Sequence, residues 1–268
     1  HAQTTMPSLA IVGTGIADTD ALLAHRTLGI FVRRLLRPAF PATTPTLGVA
    51  VVGYGPFGGM GYLHGLAATE TDGLTFVAAA DNSPDRIEAA RLDFPELIGH
   101  DSGTALAQDD SVDVAVIATP PKFHAELALE LLRAGKHVVM EKPMALTRAD
   151  ADLVIATAAQ HDRTVTVHQS RRWDTDFLAV QRLMRRGDLG EVFNIETFVG
   201  GFEHPCRAWH SEDSISGGAV YDWGSHLLDQ VLDLIRTPIE YVTATSHKLQ
   251  WFDVTNADHS RVTVRFVD

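Results

Sequence analysis

The chain has 268 residues, a formal charge of −12 and 45% hydrophobic content, enough for one large or two modest domains with real cores. The acid excess argues against nucleic acid as a partner, because phosphates would be repelled. Cys206 is the only cysteine, which excludes an intrachain disulfide and a cysteine-type structural zinc site and makes a reducing, cytoplasmic compartment the expectation. No apolar run reaches the roughly 18 residues that span a bilayer, no secretory pattern stands at the N-terminus, and no HExxH-like spacing suggests a metal.

Residues 1–46 are the least legible. SLAIVGTG suggests a short strand and DTDALLAHRTLGIFVRRLLR a helix opened by an aspartate cap, before the proline-rich PAFPATTPT linker. This segment is either an extension, for instance an arm that packs on a neighbouring subunit, or sequence ahead of the true start.

From residue 47 the pattern is regular. LGVAVVGYGPFGG is a buried strand entering a glycine turn, with helix-compatible sequence from Met60 to Thr69. LTFVAAADNSP is a second strand ending in Asp81, DRIEAARLDF a helix, and SVDVAVIATPP a third strand. FHAELALELLRAGKHVVMEKP gives helix, glycine stop and strand, and the next unit repeats this, its helix starting near Thr147. Alternating strands and helices predict a parallel sheet covered on both faces. After about residue 170 the texture changes to a long helix, DFLAVQRLMRR, then alternating strands at EVFNIETFV, EYVTATSHKLQ and HSRVTVRFVD around a helix near Asp222. The expected organisation is an extension (1–46), a dinucleotide-binding Rossmann α/β domain (47–170) and an α+β domain (171–268) with an open, mostly antiparallel sheet. That sheet looks truncated, because the last strand is apolar and would leave an edge open to pairing.

GYGPFG, from Gly53 to Gly58, fits GxGxxG between a strand and a helix. Gly53 permits the turn, Gly55 admits a pyrophosphate to the backbone, and Gly58 allows close helix–strand packing. The helix N-terminus supplies free N–H groups to phosphate, with Pro56 and Phe57 in the same turn. Asp81, 23 residues beyond Gly58, is placed to accept hydrogen bonds from an adenosine ribose. Its carboxylate repels a 2′-phosphate, which favours NAD, while Arg86 nearby keeps NADP open. Lys142, before a proline at a strand's C-terminal end, stands where ligands bind in open α/β sheets, and there it could orient a hydroxyl or polarise a carbonyl.

In GGAVYDWGSHLLD, residues 217–229, Val220, Trp223, Leu227, Val231 and Leu234 make one apolar helix face. Asp222, His226, Asp229 and Asp233 fall on the other. That face is either a solvated acidic surface or a site in which Asp222 and His226, at i and i+4, share one substrate. Gly224 between them costs a helix about 1 kcal/mol relative to alanine, which favours the second reading.

GYGPFG, ATPPKFHAE, AGKHVVMEKPM and GGAVYDWGSHLLD, in this order and spacing, resemble the Gfo/Idh/MocA oxidoreductases, and VHQSRRWDTDFLAV with YDWGSHLLDQ resembles the branch containing scyllo-inositol dehydrogenases. The resemblance covers residues 47 to about 268. It implies an NAD- or NADP-dependent dehydrogenase acting on a secondary alcohol of a sugar or cyclic polyol, and a homodimer or homotetramer formed through the C-terminal sheet. By the same resemblance Lys142 helps hold the nicotinamide ribose and substrate, His226 is the acid–base, and Asp222 orients it or the substrate. Thr119, Pro120 and His124 match the loop beside the nicotinamide, and Glu141 belongs to the EKP motif with Lys142. Arg172, Trp173, Trp209 and His210 are candidates for a polyol pocket. Two other readings remain: a dinucleotide-binding sensor without chemistry, and an NAD-assisted glycosidase of the same fold.

Overall fold

The computed structural model describes residues 10–12, 46–56 and 59–267. The glycine-turn residues Phe57 and Gly58, and the helix expected at 18–37, lie outside the described residues. In chain order the elements are β1 (Ala10–Val12), β2 (Leu47–Val52), α1 (Met60–Glu70), β3 (Leu74–Ala80), α2 (Pro84–Asp93), β4 (Ile98–His100), α3 (Gly103–Ala107), β5 (Val114–Ile117), α4 (His124–Arg133), β6 (His137–Met140), α5 (Arg148–Gln160) and β7 (Val165–Val167). There follow α6 (Thr175–Arg186), β8 (Glu196–Phe198), α7 (Asp213–Ser216), α8 (Ala219–Leu234), β9 (Ile239–His247) and β10 (His259–Phe266).

The described residues form two compact units. In the unit that contains 193–201, β1 pairs in parallel with β8, Ala10 opposite Glu196 and Val12 opposite Phe198. The rest of the described chain makes the other unit. Its centre is a six-stranded sheet in the order β4-β3-β2-β5-β6-β7, parallel throughout. This is the doubly wound order, and its switch point lies between β2 and β5.

The expected two-sided burial holds, and strand periodicity explains it. Ala50 and Val52 of β2 face one layer, with Ala115 and Ile117 of β5, Leu131 and Leu132 of α4 and Val154 of α5. Val49 and Val51, one residue out of phase, face the other with Val116 and Ala68 of α1. Caps set the helix starts where short polar side chains predict them: Ser102 Oγ accepts from the Ala105 N–H, and Thr147 Oγ1 from the Asp150 N–H. Gly187, at φ +73°, closes α6.

Two parts of the sequence reading need correction. β4 and α3 were not anticipated, because a three-residue strand and a five-residue helix are too short to carry a period. EVFNIETFV was expected to join the C-terminal sheet, but only Glu196–Phe198 is strand and it pairs with β1. The antiparallel sheet among the described residues is the β9–β10 hairpin, with His259 opposite His247. In β10 exposed and partly buried positions alternate as predicted, whereas every residue of β9 is exposed. No helix among the described residues is long and apolar enough to cross a membrane.

The first crossover is packed at backbone distance. A Cβ on Gly61, in the first turn of α1, would lie 2.3 Å from the Tyr54 carbonyl oxygen. Alanine is the better helix former by about 1 kcal/mol, but the atom it would strike is main chain and cannot swing away. Gly61→Ala is therefore expected to lower the thermal midpoint and weaken dinucleotide binding together. An unchanged or raised midpoint would show that α1 can move away from the turn without cost.

Candidate active site

The sheet's C-terminal edge gathers the residues with chemistry. Gly53 follows β2, Asp81 follows β3, Thr119 lies beyond β5, Glu141 and Lys142 follow β6, and His168 and Gln169 follow β7. Parallel strands place all of these ends on one side. Backbone bonds hold the turns to the sheet: the Gly53 N–H donates to the Ala80 carbonyl at 2.8 Å and the Glu141 N–H to the Ile117 carbonyl at 2.9 Å.

The glycine turn has the shape a dinucleotide needs. Gly53 has φ +89°, and a Cβ there would lie 2.9 Å from the Thr119 backbone nitrogen. Gly55 has φ +71°, and a Cβ there would meet nothing within 4 Å, so this backbone faces open space. Buried Asp81 accepts from the N–H groups of Gly55 (3.1 Å) and Ser83 (3.0 Å). Arg86 Nη1 stands 3.5 Å from Asp81 Oδ2. Thr119 Oγ1 is buried without a hydrogen-bond partner among the described residues, a hydroxyl left for a ligand. These features fit a nicotinamide dinucleotide.

His124 is fully buried and ties two loops together, with Nδ1 2.8 Å from the Pro143 carbonyl and Nε2 2.8 Å from the Thr119 carbonyl. Burial pushes its pKa below the usual imidazole value, although both carbonyls favour the charged ring. Its place is structural, beneath the Thr119–Pro120 loop.

Lys142 and Asp222 form an ion pair, and Lys142 Nζ also donates to the Asp222 main-chain carbonyl at 3.2 Å. Both line a cavity of about 110 Å³ with Met60, Thr119, Glu141, Trp209 and His210. The Trp209 and His210 rings stack at 3.6 Å between centroids. Arg172 and Trp173 line a separate cavity with His168, Gln169 and Asp229. There Arg172 is engaged by Asp229 through a two-pronged pair, at 2.6 and 2.7 Å. Of the four polyol-pocket candidates from sequence, Trp209 and His210 therefore share the cavity of Lys142 and Asp222, and Arg172 and Trp173 do not.

The polar face of α8 is not solvated, and His226 is the buried residue of that helix. Its neighbours anchor the same face: Asp229 to Arg172, Asp233 to the Gln181 side chain at 2.6 Å, and Gln230 to the Arg171 carbonyl at 2.9 Å. Trp223, on the nominally apolar face, is 37% exposed with Arg171 stacked 4.5 Å from its ring centroid. Gln169 Oε1 accepts from the His226 Nδ1–H at 3.0 Å, so the lone pair of His226 sits on Nε2. Burial, followed by the nearby cations Lys142 and Arg171, lowers the His226 pKa to about 4, against the opposing pull of Asp222 and Glu141. The ring is thus a neutral proton acceptor at pH 7.

Glu141 is bound by two histidines that sequence reading did not select. His64 Nε2 lies 2.7 Å and His168 Nδ1 2.9 Å from the same Oε1 atom. Burial pushes the carboxyl up, but the hydrogen bonds from His168 and His64 together outweigh it and hold the pKa at about 2. The strand-end rule that nominated Lys142 applies equally to His168 and Gln169, since both directly follow β7. His64, in the middle of α1, carries no such signal.

The oxidoreductase family profile described as an NAD-binding Rossmann fold matches residues 47–169, and the Gfo/Idh/MocA C-terminal domain profile matches residues 177–268. The chain belongs to the Gfo/Idh/MocA family. Among its relatives is the scyllo-inositol 2-dehydrogenase (NADP(+)) IolW of Bacillus subtilis, 29% identical over 72% of this chain and 53% of that protein. The uncharacterized oxidoreductase YdgJ of Escherichia coli is 32% identical over 71% of this chain and 54% of its own length. An NAD-binding protein from Listeria innocua superposes with a TM-score of 0.76 at 34% identity, over 83% of this chain and 62% of the other. The chain thus spans about half the length of the curated relatives it matches.

The environment of His226 makes a prediction that requires no substrate. Its resonance is expected to titrate near pH 4, with Lys142→Met moving the midpoint up and Asp222→Asn moving it down. The unfolded ring takes up its proton near pH 6.5, so this residue's stability contribution is complete above that value and is lost as pH falls through the folded midpoint. A histidine-resolved NMR titration decides it, and a midpoint in the ordinary imidazole range would overturn the buried, cation-flanked placement.

Proposed function

We propose that the chain oxidises a secondary alcohol of a sugar or cyclic polyol, of the inositol kind, with NAD as hydride acceptor. The observation that carries this reading is the meeting of Lys142, Asp222 and the neutral His226 at the sheet's C-terminal edge, beside a glycine turn and an unpartnered threonine hydroxyl. Residues 47–170 would serve as the dinucleotide module and 171–268 would bring α8 to it. The relative named as a scyllo-inositol dehydrogenase supports the substrate class. Exposed Ile239, Tyr241 and Val242 of β9 support self-association through the hairpin, and the lone Cys206 suits the cytoplasm.

In this reading Gly53, Gly55 and Pro56 cradle the pyrophosphate, Asp81 meets the adenosine ribose, and Thr119 with Lys142 faces the nicotinamide side. A nicotinamide held beside Thr119 and Lys142 would supply the hydride acceptor. Lys142 directs its ammonium to the reacting oxygen and stabilises alkoxide character as the C–H bond breaks. His226, with its lone pair on Nε2, takes the hydroxyl proton, so that the alcohol loses one hydride and one proton to become a ketone. Asp222 then favours the imidazolium so formed, while Gln169 holds the ring in its tautomer.

His226→Ala is expected to lower turnover by about two to four orders of magnitude while NADH binding persists, and turnover near that of the parent would refute the assignment. Thermal melts address the cofactor separately. A ligand at 100 times its dissociation constant stabilises by about 2.7 kcal/mol, so a larger shift with NADH than with NADPH is expected from Asp81. The reverse order would assign Arg86 to a 2′-phosphate instead.

A further inference from the structure

His64 from α1, Glu141 after β6 and His168 after β7 come from three separate parts of the chain, yet their donor atoms all lie within 4.8 Å of one another. Glu141 is buried and His64 nearly so, while His168 is about one-third exposed. A buried carboxylate needs a compensating charge. Among the described residues no lysine or arginine pairs with Glu141, and its neighbour Lys142 is committed to Asp222. Two imidazoles converge on Glu141 instead, His64 Nε2 and His168 Nδ1 meeting the same carboxylate oxygen.

We propose that His64, Glu141 and His168 form a binding site for one divalent transition-metal ion of the zinc class. His64 Nε2, a Glu141 carboxylate oxygen and His168 Nδ1 would be its ligands. Two imidazoles and one carboxylate suit zinc or cobalt, whereas magnesium and calcium require mostly oxygen donors. The site has a way in, because Glu141 lines the cavity of Lys142 and His168 lines the cavity of Arg172.

The donor atoms now sit at hydrogen-bond separations of 2.7 and 2.9 Å. An ion held at about 2.0–2.2 Å from each would spread them by roughly half an ångström, a movement the partly exposed His168 side chain can supply. Each ring keeps one proton, transferred to its other nitrogen, so binding changes tautomers without oxidising or reducing anything. The ion would brace the sheet edge from which Lys142 projects. The inference does not depend on the dehydrogenase reading, since either can fail alone.

The test uses the chelator-treated full chain, titrated with Zn2+ by calorimetry and with Co2+ by visible absorption. One ion per chain is expected, with the d–d bands of low-coordinate cobalt and a raised thermal midpoint. His168→Phe and Glu141→Gln, each confirmed folded by circular dichroism, are expected to weaken binding more than about 100-fold, beyond the 10–100-fold typical of outer-shell changes. His204→Ala, which removes an exposed histidine next to Asp253, is expected to leave it unchanged. Absence of stoichiometric binding, or full affinity in either folded ligand variant, would overturn the site and leave a hydrogen-bonded His–Glu–His triad.

Discussion

Lys142 and Asp222 stand 80 residues apart in sequence, and their ion pair joins the C-terminal edge of the parallel sheet to the helix α8. The pair is partly buried on both sides, so solvent screens it less than a surface bridge. Its placement sets the electrostatics of everything nearby. The ammonium helps depress His226, the carboxylate partly restores it, and the outcome is an imidazole that stays neutral at pH 7. If either partner moved, the cavity wall, the histidine's protonation and the approach of α8 would change together.

The environment of His226 is built from both sides of the site. Gln169, at the end of β7, determines which nitrogen carries the proton, and Arg171, stacked on Trp223, adds a second cation. Farther along α8, Asp229, Gln230 and Asp233 bond to Arg172, Arg171 and Gln181. A face that would be a solvated acidic stripe on an isolated helix is therefore an interface here. The cost of burying polar groups is offset because each has a partner.

The sheet explains why the site can be assembled from such scattered residues. Six parallel strands end on one side, and the ends of β2, β3, β5, β6 and β7 deliver their next one or two residues to a common edge. Glu141 and Lys142 are consecutive but serve different partners: the carboxylate faces His64 and His168, the ammonium faces Asp222. Two neighbouring charges of opposite sign thus do not neutralise each other, which leaves a cation at one cavity and an anion enclosed by imidazoles.

Periodicity and glycine spacing were enough, from sequence, for the main elements of the parallel sheet and its two covered faces, and the family came from the resemblance of four contiguous motifs. These are local properties: apolar runs of strand length, caps such as Thr147, and a turn that only glycine at Gly53 and Gly55 can make at positive φ. Lys142, Asp222 and His226 could be nominated from sequence because their motifs are contiguous. Tertiary structure alone decided that β8 pairs with β1, that Arg172 and Trp173 line a different cavity from Trp209, and that His64, Glu141 and His168 meet. Those outcomes depend on contacts between residues far apart in the chain, and no local pattern encodes which distant partner a side chain will find.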